Sequence, residues 1–319
     1  MHKRLVNHCT IELTLSPCGP ILIKSGKEGA DPTKPDMEFV ETYHAGGRSI
    51  YLPGSSLKGA IRAHAERIVR TVGSDQRPPN SDRIWASDPL NLKDYEYLNQ
   101  KESWDIYKLS SFTDRLFGSV AIASRLRIED AYPVDRSQLQ LEERNGVAID
   151  RVFGSVAVGP FNYQVCTAGE FRTKIHLKNF SLAQLGLIGL VLRDLNQGWF
   201  GLGFAKSRGM GLVDVQFKSA TVQYPGCLLE NDQICTLGNQ KQWPYTHLLG
   251  AGEFLQPNER ERYGFPADDC EETPIGATSM DLGFGVQLIW QGNDETGVPN
   301  LFHCAVRAWS KRLQEAAAA

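Results

Sequence analysis

Apolar and polar side chains come to alternate along residues 5–15, ending Thr-Ile-Glu-Leu-Thr-Leu. That period-two pattern predicts a strand with one buried face. Pro17, Gly19 and Pro20 interrupt it, and Ile21-Leu22-Ile23 resumes it briefly. Residues 24–48 carry Gly26, Gly29, Pro32, Pro35, Gly46 and Gly47 and read as a long irregular loop. From Pro53-Gly54-Ser55-Ser56 the period changes to that of a helix: Leu57, Ile61, His64/Ala65, Ile68 and Val69 form a stripe. Ser55 or Ser56 is the expected N-cap. A polar, proline-containing insertion follows at 72–106. Strand patterns recur at 124–132, 166–178 and 211–217. Between the last two, Leu185, Ile188, Leu192 and Leu195 mark a helix over 181–196, with Ser181 as its N-cap. Beyond residue 219 the pattern predicts a strand at 284–290 and a helix over about 300–313.

The main series is strand, helix, strand, strand, helix, strand. This βαββαβ order predicts an α+β fold of the ferredoxin-like, RRM-like kind, an antiparallel sheet covered on one face by two helices. Residues 1–218 make up that domain, and 219–319 read as a C-terminal extension suited to subunit docking. One internal similarity stands out. Asp114-Arg-Leu-Phe-Gly118 is echoed by Asp150-Arg-Val-Phe-Gly154. With only two copies and different flanks, it reads as one turn chemistry used twice.

Composition narrows the class. The 319 residues are 41% hydrophobic and 22% charged, which is ordinary for a globular protein. No apolar run approaches the ~18 residues of a membrane span, and no continuous apolar stretch follows Met1-His-Lys-Arg, so a cytoplasmic location is expected. The seven cysteines, Cys9, Cys18, Cys166, Cys227, Cys235, Cys270 and Cys304, contain no CxxC pair. No structural zinc is expected, although Cys227, Cys235, Cys270 and His303 would be the set to converge on a metal. The net charge of −3 hides a split. Residues 172–211 hold six Lys/Arg against one acid, and 251–296 hold ten Asp/Glu against two arginines. A locally basic face suits phosphates.

Two segments carry candidate chemistry. Gly198-Trp-Phe-Gly201-Leu-Gly203-Phe-Ala-Lys206-Ser207-Arg208-Gly209-Met-Gly211 has the glycines to bring main chain close to a ligand, with two cations and a hydroxyl beside them. It follows a helix and leads into a strand, which excludes Walker and dinucleotide loops. A glycine-rich hairpin without a ligand has the same composition. The second segment, Pro53-Gly-Ser55-Ser56-Leu-Lys58-Gly-Ala-Ile-Arg62, predicts a helix N-terminus with unpaired amides, where an anion binds. An ordinary capped helix would look alike.

Together with Arg115-Leu-Phe-Gly118 and Asn145–Phe153, these blocks resemble the RAMP superfamily of CRISPR-associated proteins, in particular backbone subunits of type III effector complexes. The resemblance spans roughly residues 5–217 and implies a modified ferredoxin-like fold with a β-hairpin thumb, matched by residues 144–163. It implies binding of a guide RNA and of a complementary target RNA, beside other RAMP subunits and the large subunit. Lys24, Lys27, Ser55, Ser56, Lys58, Arg62, Arg144, Arg151, Phe153, Lys206, Ser207, Arg208 and Gly209 are the residues implied for RNA contact. Val147, Ile149, Val152 and Phe153 suit wedges against an unstacked base. The family's target-cleaving aspartate falls in the loop before the Pro-Gly-Ser block. Asp36, 17 residues before Pro53, fits that place best, and Asp31 is the second choice. Asp36 would hold a divalent ion, Mg or Mn, at the phosphate or assist proton transfer, and Lys34 would join Lys24 and Lys27 in offsetting charge. Two alternatives remain: a purely structural guide-binding subunit, and a metal-independent guide-processing ribonuclease using His44 or His64.

Overall fold

A computed structural model of the chain describes residues 4–26, 35–78, 84–238 and 241–318, with side chains described to residue 315. Lys27, Asp31 and Lys34 lie outside the described residues. The fold is mixed α+β, built on an antiparallel sheet.

The N-terminal half supplies β1 (His8–Pro17), a hairpin of β2 (Glu41–His44) and β3 (Gly47–Ile50), α1 (Gly54–Val72), α2 (Ser103–Leu109) and α3 (Phe112–Phe117). Next come β4 (Leu126–Ile128), β5 (Tyr132–Pro133), β6 (Gln140–Ile149), β7 (Val156–Ala168), β8 (Phe171–Lys178), α4 (Leu182–Asn196) and β9 (Val213–Tyr224). Short strands follow: β10 (Cys227–Glu230), β11 (Gln233–Thr236), β12 (Gln242–Pro244), β13 (His247–Leu249), β14 (Cys270–Glu272) and β15 (Thr278–Ser279). The helix α5 (Pro257–Tyr263) lies before β14, and β16 (Val286–Gln291) and α6 (Val298–Ala318) end the chain.

The main sheet runs β15-β16-β9-β1-β8-β4, with β5 also on β8. The alternation read in the sequence is what closes it. Cys9, Ile11, Leu13 and Leu15 of β1 are buried on the same face as Phe171, Ile175 and Leu177 of β8. The helices α1 and α4 cover that face. Leu57, Ile61, Ala65 and Val69 form the buried stripe of α1. In contrast, α4 is buried nearly all round, because α6 packs on its outer side. That packing needs close main-chain approach: a Cβ on Gly186 would sit 2.5 Å from the Ala305 carbonyl oxygen.

Several sequence expectations change here. Loop 24–48 contains the β2–β3 hairpin. The strand expected at 124–132 is two short pieces, β4 and β5. The strand expected at 166–178 is the end of β7 and then β8, with Gly169 between them. Neither Ser55 nor Ser56 caps α1. Pro53 holds the N-cap position, and the Gly54 amide donates to Asp130 Oδ1 at 2.7 Å. The boundary drawn after residue 218 falls inside β9, and β16 pairs with β9 over Ser219–Tyr224. Val286, Leu288, Trp290, Leu301 and Trp309 join the same core. A strand's pairing partner is a tertiary fact, so periodicity could place β16 on the chain but not on the sheet. No described helix is long and apolar enough to cross a membrane.

Gly186→Val should push α6 off α4 and cost about 2 kcal/mol by overpacking. Gly59→Ala, at a helix position with nothing within 4 Å of its Cβ, should instead stabilise by roughly 1 kcal/mol. Denaturant midpoints measure both, and an unchanged midpoint for Gly186→Val would contradict the α4–α6 contact.

Candidate nucleic-acid interface

The segment Pro20–Ser25 leaves β1 after the Pro-Gly-Pro break and is bonded through its main chain to three neighbours. Ile21 exchanges both hydrogen bonds with Cys166 at the base of the β6–β7 hairpin, at 2.9 Å each. The Gly211 and Phe204 amides of the glycine-rich segment donate to Pro20 O (2.9 Å) and Leu22 O (2.7 Å). Val40 N donates to Ile23 O at 2.9 Å and Ser25 N to Glu38 O at 3.1 Å. The loop around residue 37 also grips the hairpin: Met37 N donates to Asn162 O, and Gln164 N to Met37 O. Three regions far apart in sequence therefore share one short strand.

The glycines of 198–211 serve this closeness. At Gly203, φ is +77° and a Cβ would lie 2.2 Å from Leu22 O, so no other residue fits against the segment. Gly211 is similarly tight, with a Cβ position 2.0 Å from Leu202 O. Between them Lys206-Ser207-Arg208 form one exposed turn closed by Gly209. Phe204 is half-buried beneath that turn. The Lys24 ammonium lies 5.2 Å from its ring centre and the Arg208 guanidinium 6.0 Å. Tyr163 meets Phe204 edge-on at 6.5 Å, and Phe161 lies 6.3 Å from Tyr163. Next to them, exposed Asp36 accepts the Asn162 amide on Oδ2 at 2.8 Å.

The result is a strip of two cations, three aromatic rings and one carboxylate. Rings interleaved with cations suit a single-stranded polyanion, whose bases stack and whose phosphates pair with the charges. Sequence reading named Lys24, Arg208 and Asp36 as candidates but did not single out Tyr163, Phe204 or Phe161 as their neighbours. The available signals were an aromatic residue inside a glycine run and aromatics at alternate positions of β7. A hydrated divalent ion binds through one or two carboxylates plus substrate phosphates, and Asp36, exposed and fixed by one main-chain bond, fits that mode. Among the described residues, Glu253, Asp268 and Cys270 form the group of potential metal ligands that clusters, and Cys227, Cys235 and His303 stand outside it.

The segment where a thumb was expected is the antiparallel hairpin of β6 with β7. At its tip Asp150 Oδ1 accepts the Val152 and Phe153 amides at 2.8 Å each, and the Gly154 amide donates to Asp150 O. This turn presents Val152 and Phe153, each 82% exposed, with Arg151 exposed between Asp150 and Val152 and Val147 and Ile149 on the flank. Arg144 faces Tyr163 across the hairpin and pairs with Glu142 at 3.4 Å. The sister segment 114–118 closes the same way, Gly118 amide on Asp114 O, yet it is buried.

Around Asp114 the second candidate segment finds its partners. The Asp114 carboxylate, fully buried, accepts Arg62 (2.9 Å), Ser87 (2.6 Å), Ser111 (2.8 Å) and Tyr95 (3.2 Å). Arg62 also reaches Glu66 and the Gly118 carbonyl. Lys58 donates to Ser124 Oγ and Leu126 O, and burial, with Arg62 nearby, lowers its pKa. The anion expected at the α1 N-terminus has an internal counterpart in Asp130. Ser55 is exposed and Ser56 half-buried in the first turn. His44 stacks on Tyr132 with ring centres 3.6 Å apart. His64 is buried, 2.8 Å from Asp194 Oδ2 and stacked on Phe200.

A family model described as the RAMP superfamily matches residues 14–214, well over half of the chain. That span contains the whole strip around Phe204. No curated protein matches the chain.

One double and one single substitution separate grip from scaffold. Lys206→Ala with Arg208→Ala should weaken single-stranded RNA binding and lower the salt slope by roughly 0.7 per lost phosphate contact, with thermal stability unchanged. Arg62→Ala should leave Asp114 uncompensated and cost roughly 3 kcal/mol of stability. An unchanged salt slope for the first, or wild-type stability for the second, would reverse these assignments.

Proposed function

This chain belongs to the RAMP superfamily, and on that footing we propose that it is a backbone subunit of a type III RNA-guided effector complex that cuts bound target RNA at Asp36. The observation that carries this reading is the convergence of Asp36, the thumb base and the glycine-rich segment on Pro20–Ser25. The strand order β9-β1-β8-β4, antiparallel throughout and with α1 and α4 on one face, supports reading the core as a modified ferredoxin-like domain.

In this reading guide RNA lies over Phe204, with phosphates on Lys24, Lys206 and Arg208, the Ser207 hydroxyl and the Gly209 amide adding donors. Lys27 would extend that set, with Ser55, Ser56, Arg144 and Arg151 on adjoining surfaces. Lys58 and Arg62 serve the same site indirectly, by fixing α1. The exposed apolar tip, Val152 and Phe153, enters the guide–target duplex and unstacks a nucleotide. The distorted strand brings a 2′-oxygen in line with phosphorus and the departing 5′-oxygen. The 2′-oxygen attacks, the P–O5′ bond breaks, and a cyclic 2′,3′-phosphate and a 5′-hydroxyl result. The 2′-hydroxyl proton leaves to a base, for which the Asp36 carboxylate is placed, and the 5′-oxygen takes a proton from water. A divalent ion at Asp36 would supply charge neutralisation at the phosphate. Neighbouring RAMP subunits and the large subunit complete the assembly. The exposed acids of 251–296, Glu261, Asp268, Glu272, Asp281, Asp294 and Glu295, are the surface for docking them, while Asp269 and Glu271 are buried.

One observation favours a non-catalytic scaffold: the Asn162 bond commits Asp36 to fastening its loop onto β7. A histidine-based ribonuclease has less support, because His64 is enclosed by Asp194 and Phe200.

The test uses the assembled complex with guide, complementary RNA and Mg²⁺ or Mn²⁺. Asp36→Ala should abolish a cut position, a loss of roughly 10²-fold or more, while guide binding persists. Unchanged cuts would refute the catalytic assignment, and a wild-type complex that binds without cutting would establish the scaffold. Cleavage of precursor guide by the chain in EDTA would establish the histidine route.

A further inference from the structure

Among the described residues no helix covers the sheet face opposite α1 and α4, and its outward residues divide by strand. On β9 and β16 they are Gln223, Thr221, Ser219, Gln287 and Gln291, with Ile289 the lone large apolar side chain. On β1, β8 and β4 the register lines up His8 with Lys178, Thr10 with His176 and Glu12 with Lys174, and Arg127 beside His176. Arg172 faces Tyr132 of β5. Four cations, Arg127, Arg172, Lys174 and Lys178, outnumber the acids Glu12, Glu129 and Asp130 on this half, with Arg172 and Lys174 sharing Glu12 and Arg127 paired to Glu129.

Aromatic rings are interleaved with those charges. His44 and Tyr132 stack at 3.6 Å with ring planes 8° apart, and Tyr51 adds a third ring 5.9 Å from Tyr132. His8 and His176 lie 5.7 Å apart. His176 is held at both nitrogens, by Thr10 at 3.3 Å and Glu129 at 2.8 Å, so its ring is a fixed surface. His8 is kept toward the neutral form, by burial first and then by His176, Arg127 and Lys178. Two hollows of about 710 and 610 Å³ adjoin at Ile128 and span these groups, within the size range of ligand clefts.

We propose that this open face holds a second stretch of single-stranded RNA, with phosphates on Arg127, Arg172, Lys174 and Lys178 and bases against the Tyr132–His44 and His8–His176 pairs. Rings on adjacent strands of an exposed four-stranded sheet are a general means of stacking successive bases. A protein partner would need a desolvated apolar centre, and among the described residues this face offers only Ile289 and Val134 as exposed large aliphatic side chains, set among charges and amides. None of these residues belongs to the strip around Phe204, so the proposal stands apart from cleavage at Asp36.

The experiment titrates the full chain with fluorescein-labelled oligouridylate of increasing length and with duplex RNA, over a salt series. Arg172→Ala/Lys174→Ala/Lys178→Ala should lower the salt slope by about 2, at roughly 0.7 per contact, and shorten the length at which affinity saturates. Tyr132→Ala should weaken single-strand binding roughly tenfold, and Tyr132→Phe should restore it. Lys206→Ala/Arg208→Ala should keep the open-face contribution, which separates failure of this surface from failure of the Phe204 strip. A triple variant with unchanged slope and saturation length overturns the proposal. So does equal loss of single-stranded and duplex binding in Tyr132→Ala, which would exclude stacking.

Discussion

The candidate site around Phe204 and Asp36 depends on the main chain of Pro20–Ser25. Its amides and carbonyls are shared among the thumb base, the glycine-rich segment and the loop of Asp36. Each bond alone is worth about 1 kcal/mol. Their consequence is geometric, because they place Lys24, Phe204, Tyr163 and Asp36 on one surface from four separate parts of the chain. The buried anchors Ile21 and Leu22 hold the segment in the core while its polar edge faces the site.

This explains the composition of the glycine-rich stretch better than phosphate cradling alone. Gly203 and Gly211 are spent on internal closeness, against Leu22 and Leu202. In the proposed complex, ligand contact falls to Lys206, Ser207, Arg208 and Gly209, in the exposed turn between them. A similar division runs through the Pro53–Arg62 block. Its cations, Lys58 and Arg62, are occupied by Ser124, Leu126 and Asp114. Their first task is to fasten α1 to α3 and the preceding insertion. The two Asp-Arg-x-Phe-Gly segments show the same economy: one turn chemistry closes a buried helix at Gly118 and an exposed thumb tip at Gly154.

What could be read from the sequence was whatever has a local cause. Period-two and period-3.6 burial placed β1, β8, α1 and α4, and Ser181 was found as the cap of α4 because a capping box is local. The thumb and the loop aspartate came from family resemblance, not from periodicity. What escaped depends on contacts distant in sequence. Asp130 takes the capping place expected of Ser55 or Ser56, 76 residues away in the chain. Residues beyond 218 complete the sheet and cover α4, and no pattern within them announces it. Phe161, Tyr163 and Phe204 look like core positions in the sequence, and only their arrangement around Lys24 and Arg208 marks them as a surface.

The central claim is that RNA runs over the rings supported by Pro20–Ser25. Ultraviolet cross-linking of bound guide RNA, with the joined peptides identified by mass spectrometry, tests it most directly. Cross-links at Tyr163 and Phe204 are predicted, lost when Gly203→Val separates the glycine-rich segment from Leu22. Cross-links that leave both 161–164 and 198–211 untouched would contradict it.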